Sequence, residues 1–172
     1  MGNKLFTLLF AAMLPAAGAM ASDYYVSVNG NGTKDGSSWD NALRFATFCA
    51  HVNNYTNGDT FYFAGGTYYA TSKTPTAITN GYTFIGGFDP ALTGTEHATP
   101  AYPSSTPTVF SGDVNQNGKQ DAEDASRFLA LKTDTKKGGD KQKPFVIQGI
   151  EFTSCFDSTS TKTHGAVQLN NC

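Results

Sequence analysis

The sequence predicts an all-β fold of stacked strands, a parallel β-solenoid with one helix at its N-terminal end. Three observations lead there. Short apolar runs recur along the chain, separated by Gly, Pro, Ser, Thr and Asn. One stretch alone carries helical spacing, which excludes alternating βαβ units. The two-residue dipeptides of tight hairpins are missing between the runs, and the polar connections are long. A sandwich or a barrel is also compatible with short strands. A solenoid accommodates the long connections more readily, because they protrude as loops while the strands stack.

Residues 1–21 read as a secretory signal. Lys4 supplies a positive start, Leu5 to Leu14 an apolar segment, and Ala19-Met20-Ala21 the small-x-small pattern of a cleavage site, so the mature chain is expected to begin at Ser22. Pro15 and Gly18 fall where a membrane span would have to continue, and no later segment is apolar enough to cross a bilayer. Export is therefore expected, with no transmembrane segment after cleavage. The next unit, 22–57, opens on the alternating strand Tyr24 to Val28 and the turn residues Asn29-Gly30-Asn31-Gly32. Ser37 and Ser38 then precede Trp39, Ala42, Leu43, Ala46, Cys49, Ala50 and Asn53, a spacing that predicts one amphipathic helix with a Ser cap. Phe45 and Phe48 widen its apolar face.

Residues 58–172 carry the stacked strands. The apolar runs are Thr60 to Ala64, Tyr82 to Ile85, Thr108 to Phe110, Phe128 to Leu131, Phe145 to Phe152 and Ala166 to Leu169. Gly65-Gly66 and Gly86-Gly87 follow their runs directly and predict sharp turns rather than a phosphate cradle, since no P-loop spacing surrounds them. Phe152-Thr153-Ser154-Cys155 matches Leu169-Asn170-Asn171-Cys172 at an offset of 17 residues. That offset suggests two turns of a repeat, with Cys155 and Cys172 stacked in one column at about 4.8 Å, either as free thiols or bonded. With 12 basic against 14 acidic residues, and a lysine cluster at 136–143 broken by Gly138, Gly139 and Asp140, no nucleic-acid footprint is expected.

These residues also carry a resemblance. Tyr25-Val26-Ser27 with Asn29-Gly30, Gly36-Ser37-Ser38-Trp39 with Ala42-Leu43, Gly58-Asp59-Thr60 with Gly65-Gly66-Thr67-Tyr68, Phe84-Ile85-Gly86-Gly87-Phe88 and Ser111-Gly112-Asp113 resemble the opening of bacterial right-handed parallel β-helix proteins. These belong to the pectate-lyase-like superfamily, in particular the surface proteins with polymorphic outer-membrane-protein-type repeats. The resemblance implies that the helix caps the first edge of a right-handed β-helix. It also implies a place outside a Gram-negative cell or on its outer membrane. The chain ends at Cys172 on an apparent strand, so the expectation is the first coils of a longer, truncated domain.

The sharpest chemical signal runs from Asp113 to Asp124. Asp113, Asn115, Asn117, Asp121 and Asp124 place oxygens at positions 1, 3, 5, 9 and 12 of a loop, Gly118 stands at position 6, and Lys119 offers its main-chain carbonyl at position 7. A hard cation wants six or more oxygens, and alternate side chains of a tight loop converge when a glycine relieves the bend, so calcium is the expected cofactor. The segment resembles one half of a type I dockerin, and the β-helix family often inserts an Asn/Asp/Gly-rich loop here. A helix over Ala125 to Lys132 would favour the calcium hand; a stacked strand would favour an insertion between coils.

No catalytic group stands out. Asp59, Asp89, Glu96 and Glu151 are isolated in sequence, Arg44 and Arg127 are the only arginines, and Cys49 and His51 point to different faces of the expected helix. The expected role is a non-catalytic scaffold, adhesin-like or binding polysaccharide or a matrix ligand, with Tyr68, Tyr69 and Tyr102 as candidates for stacking on sugars. The alternatives are the beginning of a polysaccharide lyase or glycoside hydrolase, and a calcium-dependent, dockerin-like docking module.

Overall fold

The computed structural model describes residues 20–132, 143–155 and 166–170. Residues 1–19 of the expected signal, residues 136–142 of the lysine cluster, and Cys172 lie outside them. The fold is β-rich, and its sheets are parallel throughout. Sheet A holds β1 (Asp23–Ser27), β2 (Leu43–Arg44), β3 (Thr60–Ala64), β6 (Thr83–Phe88) and β9 (Val146–Gln148) in the order β2-β1-β3-β6-β9. Sheet B is β10 (Ile150–Thr153), β7 (Thr108–Ser111) and β4 (Gly66–Tyr69). Sheet C is β11 (Val167–Asn170), β8 (Leu129–Lys132) and β5 (Ala77–Ile78). From β3 onward the chain visits A, B and C in strict rotation.

Register aligns like residues from strand to strand. Phe61 pairs with Phe84 and Phe84 with Ile147 in sheet A. Tyr68 and Phe152 both pair with Phe110 in sheet B, and Ile78 and Leu169 both pair with Leu131 in sheet C. The inward residues of all three sheets join one core with Phe45 and Phe48. Phe110 lies at its centre, stacked on Phe128 at 4.5 Å and edge-on to Phe63 at 5.2 Å and Phe152 at 5.6 Å. Each fully buried Phe side chain contributes about 1.5–3 kcal/mol of apolar transfer.

The helix is shorter than its spacing predicts. Trp39–Asn41 form a single 3-10 turn, Leu43 and Arg44 pair as β2 with Val26 and Ser27, and α1 covers only Phe45–His51, capped by Arg44 rather than a serine. The apolar residues of 39–53 serve two cores, which is why their combined spacing misleads. Trp39 and Ala42 pack with Tyr25, Tyr62, Ala64 and Phe88 on the outer face of sheet A, whereas Phe45 and Phe48 enter the inner core and Ala46 and Ala50 are exposed.

Two strands escape the sequence pattern, and one run divides. Gly66 begins β4 instead of completing a turn, β5 is two residues long, and Phe145 to Phe152 splits at Gly149 into β9 and β10 on different sheets. The 17-residue offset also has another meaning. Phe152 lies in sheet B and Leu169 in sheet C, so the offset carries the chain from one sheet to the next, and the basis for a Cys155–Cys172 column is lost. Cys49 and Cys155 are free thiols.

The junction between sheets A and B is held by Thr108. Against β3, β6 carries an extra residue, so Tyr62 pairs with Ile85 but Ala64 with Phe88. Gly87 takes φ +92 in this bulge, a conformation L side chains rarely adopt. Its N–H donates to the buried Thr108 hydroxyl at 2.8 Å, which in turn faces the carbonyls of Ala64 at 3.0 Å and Phe63 at 3.1 Å. Thr108→Val keeps the shape and orphans the Gly87 N–H. Urea unfolding should show a loss of about 1–3 kcal/mol; an unchanged midpoint would mean the hydroxyl holds nothing.

Candidate functional site

The loop 113–124 leaves β7 and returns to β8, so it joins sheet B to sheet C. The segment after it is a strand paired with β5 and β11, not the helix a helix–loop–helix hand requires. The loop is thus an insertion between stacked strands. Its ends are buried and its middle is exposed: Asp113 and Asp124 are each 4% exposed, while residues 115–120 are open to solvent.

Local chemistry turns the loop in on itself. Asp113 accepts from the N–H groups of Asn117 at 3.1 Å and Gly118 at 2.8 Å, satisfying donors at the tightest bend. Gln116 and Gly118 both take positive φ there, +55 and +70. Asn115 Oδ1 accepts from the Asn117 N–H at 3.2 Å, and Asn117 Oδ1 from the Lys119 N–H at 2.7 Å. The Asn117 side chain donates to Asp121 Oδ2 at 2.7 Å, with Asn115 Nδ2 at 3.5 Å from the same oxygen. That amide, with the Glu123 N–H second, holds the Asp121 carboxyl below the usual carboxylate range. Asp124 Oδ2 accepts from the Asp121 N–H at 3.0 Å, whereas its Oδ1 is buried with no hydrogen-bond partner.

The expected ligand residues are therefore gathered, though not yet around a point. Asp113, Asn115, Asn117 and Asp121 form one hydrogen-bonded chain, Asp124 joins it through the Asp121 main chain, and Lys119 joins it through its N–H, a donor, rather than through the carbonyl expected as a ligand. Among the described residues, no three His, Cys, Asp or Glu side chains stand close enough to hold a metal. Two amides separate the acids. Rotating both by half a turn would present oxygens in place of nitrogens to Asp121, an arrangement that only a cation favours. The donor chemistry, with one buried carboxylate oxygen unmatched, fits a hard divalent cation. Lys73 closes the rim, 2.8 Å from Glu123 and 2.9 Å from the Ala122 carbonyl, an exposed pair that contributes little stability.

The other residues singled out by sequence separate clearly. Tyr68 is fully buried, its hydroxyl donating to the Ala64 carbonyl at 2.8 Å, so it is a core residue and not a sugar platform. Tyr69 is partly exposed, and Tyr102 is 73% exposed. Burial pushes the Cys49 thiol up to about 12, which leaves it protonated and unreactive, and His51 is exposed. A buried acid that sequence reasoning left isolated proves structural. Asp59 accepts from the N–H groups of Ser22 at 2.8 Å and Thr56 at 2.7 Å.

The chain matches no protein-family model, no curated protein and no solved structure. Among the described residues, no helix is long and apolar enough to cross a membrane.

The unmatched Asp124 oxygen gives a test of its own. With cations removed by EDTA, Asp124→Asn retains an acceptor for the Asp121 N–H and deletes a buried charge. The variant should unfold at the same urea concentration as the parent or higher. A loss above about 1 kcal/mol would mean that Oδ1 has a partner in solution.

Proposed function

We propose that the chain is an exported, right-handed parallel β-helix that serves as a non-catalytic surface scaffold and binds polysaccharide through its loops, with calcium in the 113–124 loop. The rotation of successive strands through three parallel sheets, with aromatic and aliphatic columns in register, carries this reading. Parallel crossovers within one sheet are overwhelmingly right-handed, and stacked circuits tolerate the long connections found after β6 and β7. Such a body offers a rigid frame with variable loops, which suits binding at the surface of a Gram-negative cell or its outer membrane.

Export draws support from the first described residues. Ser22, the expected first residue after cleavage, already directs its backbone nitrogen at the buried Asp59. Cutting after Ala21 would turn that amide into an ammonium and the contact into a charge-assisted hydrogen bond, roughly twice as strong as a neutral one. Calcium draws support from the alternating oxygens and the unmatched Asp124.

Two measurements test the reading. Calcium at about one hundred times its dissociation constant should stabilise the mature chain by about 2.7 kcal/mol. A rise in melting temperature of several degrees that Asp113→Asn abolishes is the expected result; no rise would remove the metal. Titration against a panel of polysaccharides should show binding with no product. Release of unsaturated or shortened sugars would make the chain an enzyme, and failure to bind any member would remove the polysaccharide role.

A further inference from the structure

The connection 89–107 between β6 and β7 is long and does not simply hang in solvent. Its first half crosses the outer face of sheet A. Trp39 Nε1 donates to the Glu96 carbonyl at 2.6 Å, Tyr25 donates to the Thr95 carbonyl at 2.9 Å, and His97 stacks on Tyr62 at 4.6 Å between ring centres. Its second half is anchored by Ser104, whose hydroxyl donates to the Gly87 carbonyl at 2.7 Å. Between these moorings the loop arches over the corner where β6 and β9 turn toward sheet B, and a cavity of about 320 Å³ lies beneath it.

The corner is hollow because it is built from glycine. Gly149 takes φ +65, and a Cβ placed on it would meet the Gly86 carbonyl oxygen at 2.7 Å. A Cβ on Gly86 would in turn strike the Gly149 oxygen at 2.6 Å. The two backbones can therefore approach only without side chains. Ile85 and Ile150 give the cavity apolar flanks. On the rim stand Tyr102, Thr99 and Gln148, all exposed, and neither Gln148 nor Thr99 makes a side-chain hydrogen bond to another described residue. Among the described residues, no charged side chain lines the cavity.

We infer that this cleft is a binding subsite for the pyranose rings of a neutral polysaccharide. The inference rests on the polysaccharide-binding reading and names its place and its sugar class. A pyranose presents an apolar C–H face and a rim of hydroxyls. An exposed phenol ring matches the face, and a free amide, carrying both a donor and an acceptor, matches neighbouring hydroxyls. The volume lies at the lower end of ligand cavities and suits one or two rings rather than a long buried chain. Uronate sugars are disfavoured, because their carboxylates would lose water with no Lys, Arg or His among the described lining residues to compensate.

Calorimetry of the mature chain with cellohexaose, mannohexaose and xylohexaose, and with hexagalacturonate as the acidic counterpart, tests the assignment. Tyr102→Ala and Gln148→Ala alter exposed positions, and their melting temperatures serve as the folding control. Tyr102→Ala should weaken a neutral hexasaccharide about tenfold. Tyr102→Phe, which keeps the ring, should stay within about twofold of the parent. Neutral binding that survives both alanine variants would overturn the cleft and leave the scaffold reading standing. Binding of hexagalacturonate alone would overturn the neutral class, and no binding to any sugar would overturn both readings together.

Discussion

A parallel sheet has two faces to cover, and the structure follows from how sheet A covers both. Its inner face, with Val26, Phe61, Phe63 and Phe84, meets the inward residues of sheets B and C and the two phenylalanines of α1. Its outer face carries Tyr25, Tyr62 and Phe88, too apolar to leave in water. Among the described residues, no fourth sheet supplies a lid. The protein uses Trp39 from one side and the 89–107 connection from the other, tied down by hydrogen bonds from Trp39 and Tyr25 to main-chain carbonyls. The loop is long because it has a face to cover. Its path past Gly86 and Gly149 then creates the cleft.

The same constraint explains which parts of the fold were legible. The central strands β3, β7 and β8 lie where the sequence places them, because each carries large apolar residues into a buried column, whereas β6 runs on through Gly86 and Gly87, which read as a turn, to Phe88. The strands β4 and β5 were hidden for opposite reasons. The first begins at a glycine that reads as a turn, and the second offers only Ala77 and Ile78, too little pattern to distinguish from a loop. The helix was overextended because periodicity records burial without recording against what. Trp39 and Phe45 are both buried, but in different cores, and the two residues of β2 between them need extended backbone to pair with β1.

The sites differ in legibility for a related reason. The 113–124 loop is contiguous, so its alternating oxygens and its glycine can be read from spacing alone, and the structure adds the buried, unmatched Asp124 oxygen. The cleft is assembled from β6, the 89–107 connection and the β9–β10 corner, brought together by strand register and by the loop's attachment to sheet A. Only Tyr102 gave a hint in sequence. Tyr68 gave the same hint and is a core residue, since alternation along β4 turns it inward.

Position also separates what the two sites can do. The acidic loop bridges sheets B and C, beside Lys73 in the β4–β5 connection, whereas the cleft lies at the junction of sheets A and B. A cation in the loop would compensate the buried carboxylates of Asp113 and Asp124, which enclose the connection leading into β8. β8 is the central strand of sheet C, so fixing its entry would secure that sheet. The cation would touch no residue of the cleft. Its effect on a bound sugar would have to pass through the shared core, where Phe110 contacts both Phe128 at the start of β8 and Phe152 beyond the Gly149 corner. Those rings are close-packed and a close-packed core resists rearrangement, so the loop would act on the stability of the scaffold and leave recognition to the cleft.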